Sequence, residues 1–354
     1  MADDDLELVD EADDSASLPF RYSITAYGAD MLVDGLVRRL KDKSIDTPRF
    51  QRGYVWSYKD ACRFIESLLL GLPVPSVFLS KDDESQRFLV IDGQQRLKTL
   101  LYFYTGIFEP TAKKFVLQDV QEGLEGKSYE TLPVDLRRKL DDSIIHAIIV
   151  KQDEPTEDRS SIYQIFERLN TGGMTLHSQE IRACIYDGEF NDLLKELNTI
   201  REWREIVGPV SSRMKDQELI LRFLALRYDR ATYSKPMKLF LNGYMGRNRH
   251  LKLQSRDQLV GAFRSAIETA NRAFGKGAFR PQRTLNAAAF DAVMVGISER
   301  LKAGPITDHH ALRAKYDLLL LDPKFSEAIT SSTSAEKQVH ERIERSVAAF
   351  SKVA

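Results

Sequence analysis

The hydrophobic periodicity of this chain changes once, near Gly188, and that change limits what it can fold into. Beyond it, apolar residues recur at three- and four-residue spacing in "NDLLKELNTIREW", "DQELILRFLALRYD", "RDQLVGAFRSAIETANRAF", "LNAAAFDAVMVGISERL", "DHHALRAKYDLLLL" and "SAEKQVHERIERSVAAF". That spacing marks helices with one buried face. Before it, helical patterns at 30–43, 57–71, 94–105, 133–142, 159–169 and 178–187 are mixed with short strand-like runs. "SLLLGLPVPSVFLS" reads as a helix end, a proline stop and a strand; "KDDESQ" is a turn, and "RFLVID" a second strand. The two read as a hairpin whose outgoing strand delivers Asp92. "FVLQDV" and "IIHAIIV" at 144–150 are two further strand candidates. The expectation is an α+β domain over 20–190 and an all-helical domain over 191–354, with the boundary near 188–192. Residues 1–19 are charged and poor in large apolar side chains, and read as a disordered tail.

A chain of 354 residues has ample length for two cores. It has no run of about 18 apolar residues that would span a membrane. Its acidic start lacks the basic-then-apolar pattern of a signal peptide, so a cytoplasmic protein is expected. Cys62 and Cys184 lie far apart in helical patterns and read as core thiols. His309 and His310 stand without other ligands at metal-binding spacing. There is no Walker A loop, no Rossmann glycine fingerprint and no Gly-x-Ser-x-Gly elbow.

A net charge of −1 hides a segregation. Residues 1–14 hold eight acids and no base, while 230–285 hold twelve Lys and Arg against only Asp257 and Glu268. This suits a polyanion partner, or a tail that screens a basic face. It equally suits a disordered tail beside a solvated helical surface. Arg247, Arg249, Lys252 and Arg256 are the densest part of the block and form the candidate DNA surface.

The stretch "VIDGQQRLKTL" places five polar or flexible residues where a strand hands over to a helix. The first N–H groups of a helix lack intrahelical partners and sit at the positive end of its dipole, so an anion is favoured there. Gly93 permits close backbone approach. Gln94 and Gln95 add amides, and Arg96 adds a forked cation suited to phosphate. Asp92 is a candidate ligand for a divalent metal shared with phosphates, or for orienting a water. The same residues also fit an ordinary N-cap at Asp92 followed by a turn glycine and solvated side chains.

Two more clusters flank it. Gln51, Arg52, Tyr54 and Trp56 precede a helix expected to be capped by Ser57 with Asp60 in its first turn. Their mixture of aromatics, Arg and Gln suits a base or a phosphate, and equally a half-buried strand. "FERLNTGGMTLHSQEIR" offers Arg168, Asn170, Glu180 and Arg182 around a glycine turn.

The three stretches "FQRGYVWSYKDACRFIESLLLGLPVPSVFL", "VIDGQQRLKTLLYF" and "IFERLNTGGMTLHSQEIRACIY" occur in one order. Together they resemble the N-terminal domain family of the GmrSD type IV restriction enzymes, whose relatives include sensors of phosphorothioate-modified DNA in anti-phage systems. The resemblance covers roughly residues 20–190. It implies a fold related to the ParB and sulfiredoxin nucleotide-binding domains. It implies nucleotide binding and hydrolysis at Asp92–Arg96, with Mg²⁺ as the expected cofactor and an NTP as substrate or ligand. Gly93, Gln51, Arg52, Arg168, Asn170, Thr171 and Gly172 would line the nucleotide cleft. Tyr54 and Trp56 would lie near that cleft or near the DNA sensor. Relatives often carry a C-terminal HNH nuclease, whereas the C-terminal half here shows only His250, His309, His310 and His340, in no nuclease pattern. The expected function is thus a restriction-type NTPase coupled to DNA, acting with a separate nuclease or defence partner and open to homo-oligomerisation. The alternatives are a non-catalytic, nucleotide-switched DNA-binding module, or a metal-dependent nuclease using Asp92 with Glu180 or Asp187.

Overall fold

The computed structural model describes residues 8–9, 23–47, 54–82, 86–154, 160–169 and 177–354. The chain forms two compact units: Arg21–Thr156 with Ser161–Thr175, and Met1–Phe20 with Glu157–Ser160 and Leu176–Ala354. Strand β1 (Leu8–Val9) belongs to the second.

The first unit runs β2 (Ser23–Leu32), α1 (Val33–Lys41), β3 (Ile45–Asp46), α2 (Tyr58–Leu70), β4 (Val77–Lys81), β5 (Phe88–Asp92), α3 (Gln94–Thr105), β6 (Ile107–Phe108), β7 (Lys113–Lys114), α4 (Val134–Asp141), β8 (Ile144–Glu154) and α5 (Ser160–Leu169). Five strands form one sheet in the order β2-β8-β4-β5-β3. The outer pair β2–β8 is antiparallel, β8–β4 parallel, β4–β5 antiparallel and β5–β3 parallel. The expected β4–β5 hairpin is therefore present, and Asp92 ends its outgoing strand. Helices α1, α2 and α3 bury Leu36, Val37, Phe64, Ile65, Leu97, Leu100 and Phe103 with Val77, Leu79 and Val90 of the sheet. Ser57 caps α2 as expected: its hydroxyl accepts from the Asp60 N–H while the Asp60 carboxylate accepts from the Ser57 N–H.

Two local expectations differ from the structure. Ser23–Leu32 forms a strand along β8 that was not expected, and the helix expected over 30–43 is present from Val33 to Lys41, its first three residues belonging to the strand. Gly28 and Asp30 interrupt the alternation that would have marked this strand. Conversely, "FVLQDV" forms no ladder. Phe115 and Leu117 are buried alternately, as in a strand. Yet the Val116 N–H donates to the Tyr58 hydroxyl, which in turn donates to the Val116 carbonyl.

The second unit contains β1, α6 (Ser178–Ile185), α7 (Glu189–Leu197), α8 (Arg201–Val207), α9 (Lys215–Asp229), α10 (Met237–Arg247), α11 (Arg256–Phe274), β9 (Leu285–Asn286), α12 (Ala287–Arg300), α13 (His309–Leu321), α14 (Pro323–Thr330) and α15 (Glu336–Phe350). Helix α12 is buried from Ala287 to Ser298 and packs against α9, α11, α14 and α15. Gly296 permits its contact with α15, since a Cβ there would overlap the Ser346 hydroxyl. Charge inside this unit is paired: Asp291 receives both Arg222 and Arg342, and Arg182 donates to Glu218. Helices α10 and α14 carried no sequence signal strong enough to be expected. The first contains two glycines and an asparagine, and the second is only eight residues. The expected boundary at 188–192 lies one helix beyond Leu176, because α6 belongs to the helical unit.

Candidate functional site

The site grows from one backbone conformation. At the end of β5, Gly93 turns left-handed with φ 99° and ψ 9°, and α3 starts at the next residue. A Cβ on Gly93 would stand 2.5 Å from the Val77 Cγ1 on the neighbouring strand. Glycine is therefore needed twice, for its dihedral and for its closeness to β4.

Gly93, not Asp92, is the N-cap, so the first turn of α3 has no side-chain cap and no acidic residue. The four polar residues of the motif are then used differently. Arg96 reaches back across the turn, its Nη2 donating to the Asp92 Oδ2 at 2.9 Å and to the Ser76 carbonyl at 3.1 Å. Its side chain is 13% exposed, against 49% for Asp92. The Gln95 Oε1 accepts from the Val55 N–H at 3.0 Å and the Trp56 N–H at 3.4 Å. Gln94 is buried, and its Nε2 has no hydrogen-bond partner; the same holds for the buried Nε of Arg96. The turn thus presents a half-exposed carboxylate, uncapped helical N–H groups and two buried donors without acceptors. One turn on, burial pulls the Lys98 ammonium below its ordinary pKa, and the charge of Glu109 opposes that.

Tyr54 and Trp56 are committed to packing. Tyr54 meets Phe108 edge-on at 5.3 Å and Tyr102 at 5.2 Å, and its hydroxyl pairs with Thr99 at 2.6 Å. Burial pushes that hydroxyl up to about 12, and the bond to Thr99 opposes the rise. Trp56 lies edge-on to Phe64 at 5.6 Å. Arg168 is exposed near the end of α5. Gln51, Arg52, Asn170, Thr171 and Gly172 lie outside the described residues. Sequence reasoning missed Ser76, Val77 and Thr99. Only their place at the start of the hairpin strand β4 and one turn into α3 could have signalled them.

The basic block divides in the same way. Arg247 pairs with Asp229, Arg256 with Glu196, and the Arg249 Nε donates to the Asp187 carbonyl. Lys252, Arg264, Arg272 and Arg283 are exposed, and their side chains have no partner among the described residues. Glu180, a candidate nuclease carboxylate, is 1% exposed and accepts from the His177 N–H at 2.6 Å and the Arg213 Nε at 3.1 Å. It caps a helix and neutralises a guanidinium, which takes it out of a metal role. Among the described residues no three His, Cys, Asp or Glu cluster as a metal site.

Residues 33–186 match the family model described as the GmrSD restriction endonuclease N-terminal domain. The chain carries a GmrSD N-terminal domain. The match includes every strand of the five-stranded sheet except β2, contains Asp92–Arg96, and runs through α6. Comparison with curated proteins returns no match. No described helix is long and apolar enough to cross a membrane.

Proposed function

We propose that this chain is a restriction-type defence protein whose GmrSD N-terminal domain binds and hydrolyses a nucleoside triphosphate at Asp92–Arg96, coupled to DNA held by the helical unit. The observation carrying this reading is the pair of unpartnered buried donors, Gln94 Nε2 and Arg96 Nε, on the uncapped first turn of α3. An unsatisfied buried donor is costly, and an oxygen-rich anion is one ligand that would relieve it. Phosphate also suits the positive helix end and the guanidinium.

The residues present fit a Mg²⁺ ion shared with phosphates, since Mg²⁺ sites of that kind commonly use one or two protein carboxylates. Asp92 would supply that carboxylate, and the ion when bound neutralises developing phosphate charge. Arg96 and the Gln94 amide hold phosphate oxygens in place. Gln95 does not contact the ligand in this reading; its bonds to Val55 and Trp56 carry the state of the turn to the neighbouring segment. That linkage also favours a second reading, in which the nucleotide acts only as a conformational ligand.

The discriminating test is equilibrium binding of each NTP, with Mg²⁺, to the wild type and to Gln94→Leu and Arg96→Ala. The reading expects weakening of tenfold or more in both variants. Unchanged affinity in both would remove phosphate from this turn.

A further inference from the structure

Lys98 sits one turn into α3, and the motif turn described above makes no use of it. It is half-buried, and among the described residues it has neither a hydrogen bond nor an ion pair. A lysine in that state carries a partly desolvated charge with nothing close to offset it. Burial accordingly pulls its ammonium below the ordinary pKa, and the charge of Glu109 pushes the other way without forming an ion pair. Helix geometry sets where the ammonium can reach. Residues four apart lie on one face, one above the other, and helical side chains lean toward the N-terminus. Lys98 therefore stands over Gln94, whose buried Nε2 lacks an acceptor. Arg96 is two residues on from Gln94, about 200° round the helix. It leaves on the side of β4, where it donates to the Ser76 carbonyl. The two cations thus flank the uncapped end of α3 from opposite sides, each with an unpaired buried donor beside it: Gln94 Nε2 on one side and the Arg96 Nε on the other. A single phosphate occupies one side. A chain of phosphates spans the helix end and meets both.

We propose that Lys98 is a phosphate-binding residue of the Asp92–Arg96 site, that it makes the site selective for a polyphosphate chain over a monophosphate, and that Glu109 competes with phosphate for its ammonium. This rests on the nucleotide reading given above and adds to it the length of the anion. Glu109 follows β6 and is exposed. Its carboxylate is solvated whether or not Lys98 faces it, so releasing the lysine to a ligand costs little.

The test is equilibrium binding, with Mg²⁺, of each NTP, of the matching NMP and of inorganic triphosphate. The chains are the wild type, Lys98→Met, Lys98→Arg, Glu109→Gln, the Lys98→Met/Glu109→Gln double variant and Arg96→Ala. Each is also melted without ligand. Lys98→Met should weaken NTP and inorganic triphosphate by about tenfold or more, the worth of one charge-assisted contact, and leave the NMP nearly unchanged. Lys98→Arg keeps a cation and should recover most of the loss. Glu109→Gln should tighten NTP binding by about threefold, and the double variant should match Lys98→Met alone. Because Lys98 has no partner in the fold, Lys98→Met should melt no lower than the wild type, whereas a structural lysine would give a lower melt. Equal NTP affinity of the wild type and Lys98→Met, an equal loss for NMP and NTP, or a lowered melt would overturn the inference. Those outcomes leave phosphate at the motif turn as long as Arg96→Ala still weakens binding. If the wild type binds neither any NTP nor inorganic triphosphate, the nucleotide reading fails and the role of Lys98 fails with it.

Discussion

Arg96 folds back over Gly93 so that its Nη2 lies 2.9 Å from the carboxylate of Asp92, tying the last residue of β5 to the first turn of α3. The guanidinium is the more buried partner, and the half-exposed carboxylate supplies its counter-charge. Asp92→Asn keeps an acceptor in the same place but removes the charge. It should cost about 1 kcal/mol of stability or less, because one partner is half-exposed. In the proposed site it should nonetheless lower turnover by at least 100-fold, since metal coordination and charge go together. Urea denaturation alongside single-turnover kinetics separates the two effects. A large stability loss with unchanged turnover would make the pair structural only.

Gly93→Ala adds a Cβ in a left-handed conformation and drives it into Val77. The dihedral costs about 1–2 kcal/mol and the clash about 1–3 kcal/mol. A fall in stability of about 2–5 kcal/mol is expected. Adding Val77→Ala to Gly93→Ala should recover the steric part and leave the dihedral part. Thermal melts of the two single variants and the double variant measure this coupling.

Gln95 serves as an acceptor. Its Oε1 takes the N–H groups of Val55 and Trp56, just before the capping box of α2. Gln95→Ala should speed amide exchange at Val55 and Trp56, while Gln95→Glu, which keeps an acceptor, should preserve most of the protection. Because Val55 is exposed, the stability cost should be only about 1 kcal/mol. Hydrogen exchange resolved at these two amides decides it.

Acid should weaken the helical unit through Glu218. Burial pushes its carboxyl up, but the charges of Arg182, His177 and Arg222 and the bond from Arg182 outweigh it, leaving the pKa below the ordinary 4.5. A carboxyl depressed in the fold stabilises it fully above its unfolded pKa and loses that contribution as pH falls through the folded value. Denaturation midpoints should therefore hold at pH above the ordinary 4.5 and drop as the pH falls below it, and Glu218→Gln should shrink the drop. An undiminished drop in that variant would assign the acid sensitivity elsewhere.

The pattern of legibility follows physical reach. Helices with strong periodicity and local caps, such as α2 behind Ser57 and α11 behind Ser255, are readable because their signals lie within a few residues. Strand β2 was not, since its partner β8 lies more than a hundred residues away and its alternation is broken. The motif turn was recognisable as a glycine hinge with an arginine. Its internal wiring was not: Arg96 to Ser76 and Gln95 to Val55 are contacts between segments that only folding brings together. The pairing within the basic block was hidden in a similar way. Density along the chain singled out Arg247, Arg249 and Arg256, and folding gives each an internal partner. The exposed cations Arg272 and Arg283 are more dispersed in sequence.

The most direct test of the central claim is phosphate release from each of the four NTPs with Mg²⁺, with and without DNA, by the wild type, Asp92→Ala and Arg96→Ala. The account predicts turnover by the wild type that DNA alters and that either substitution abolishes while the fold is retained. Absence of turnover with every nucleotide, or turnover that survives both substitutions, would contradict it.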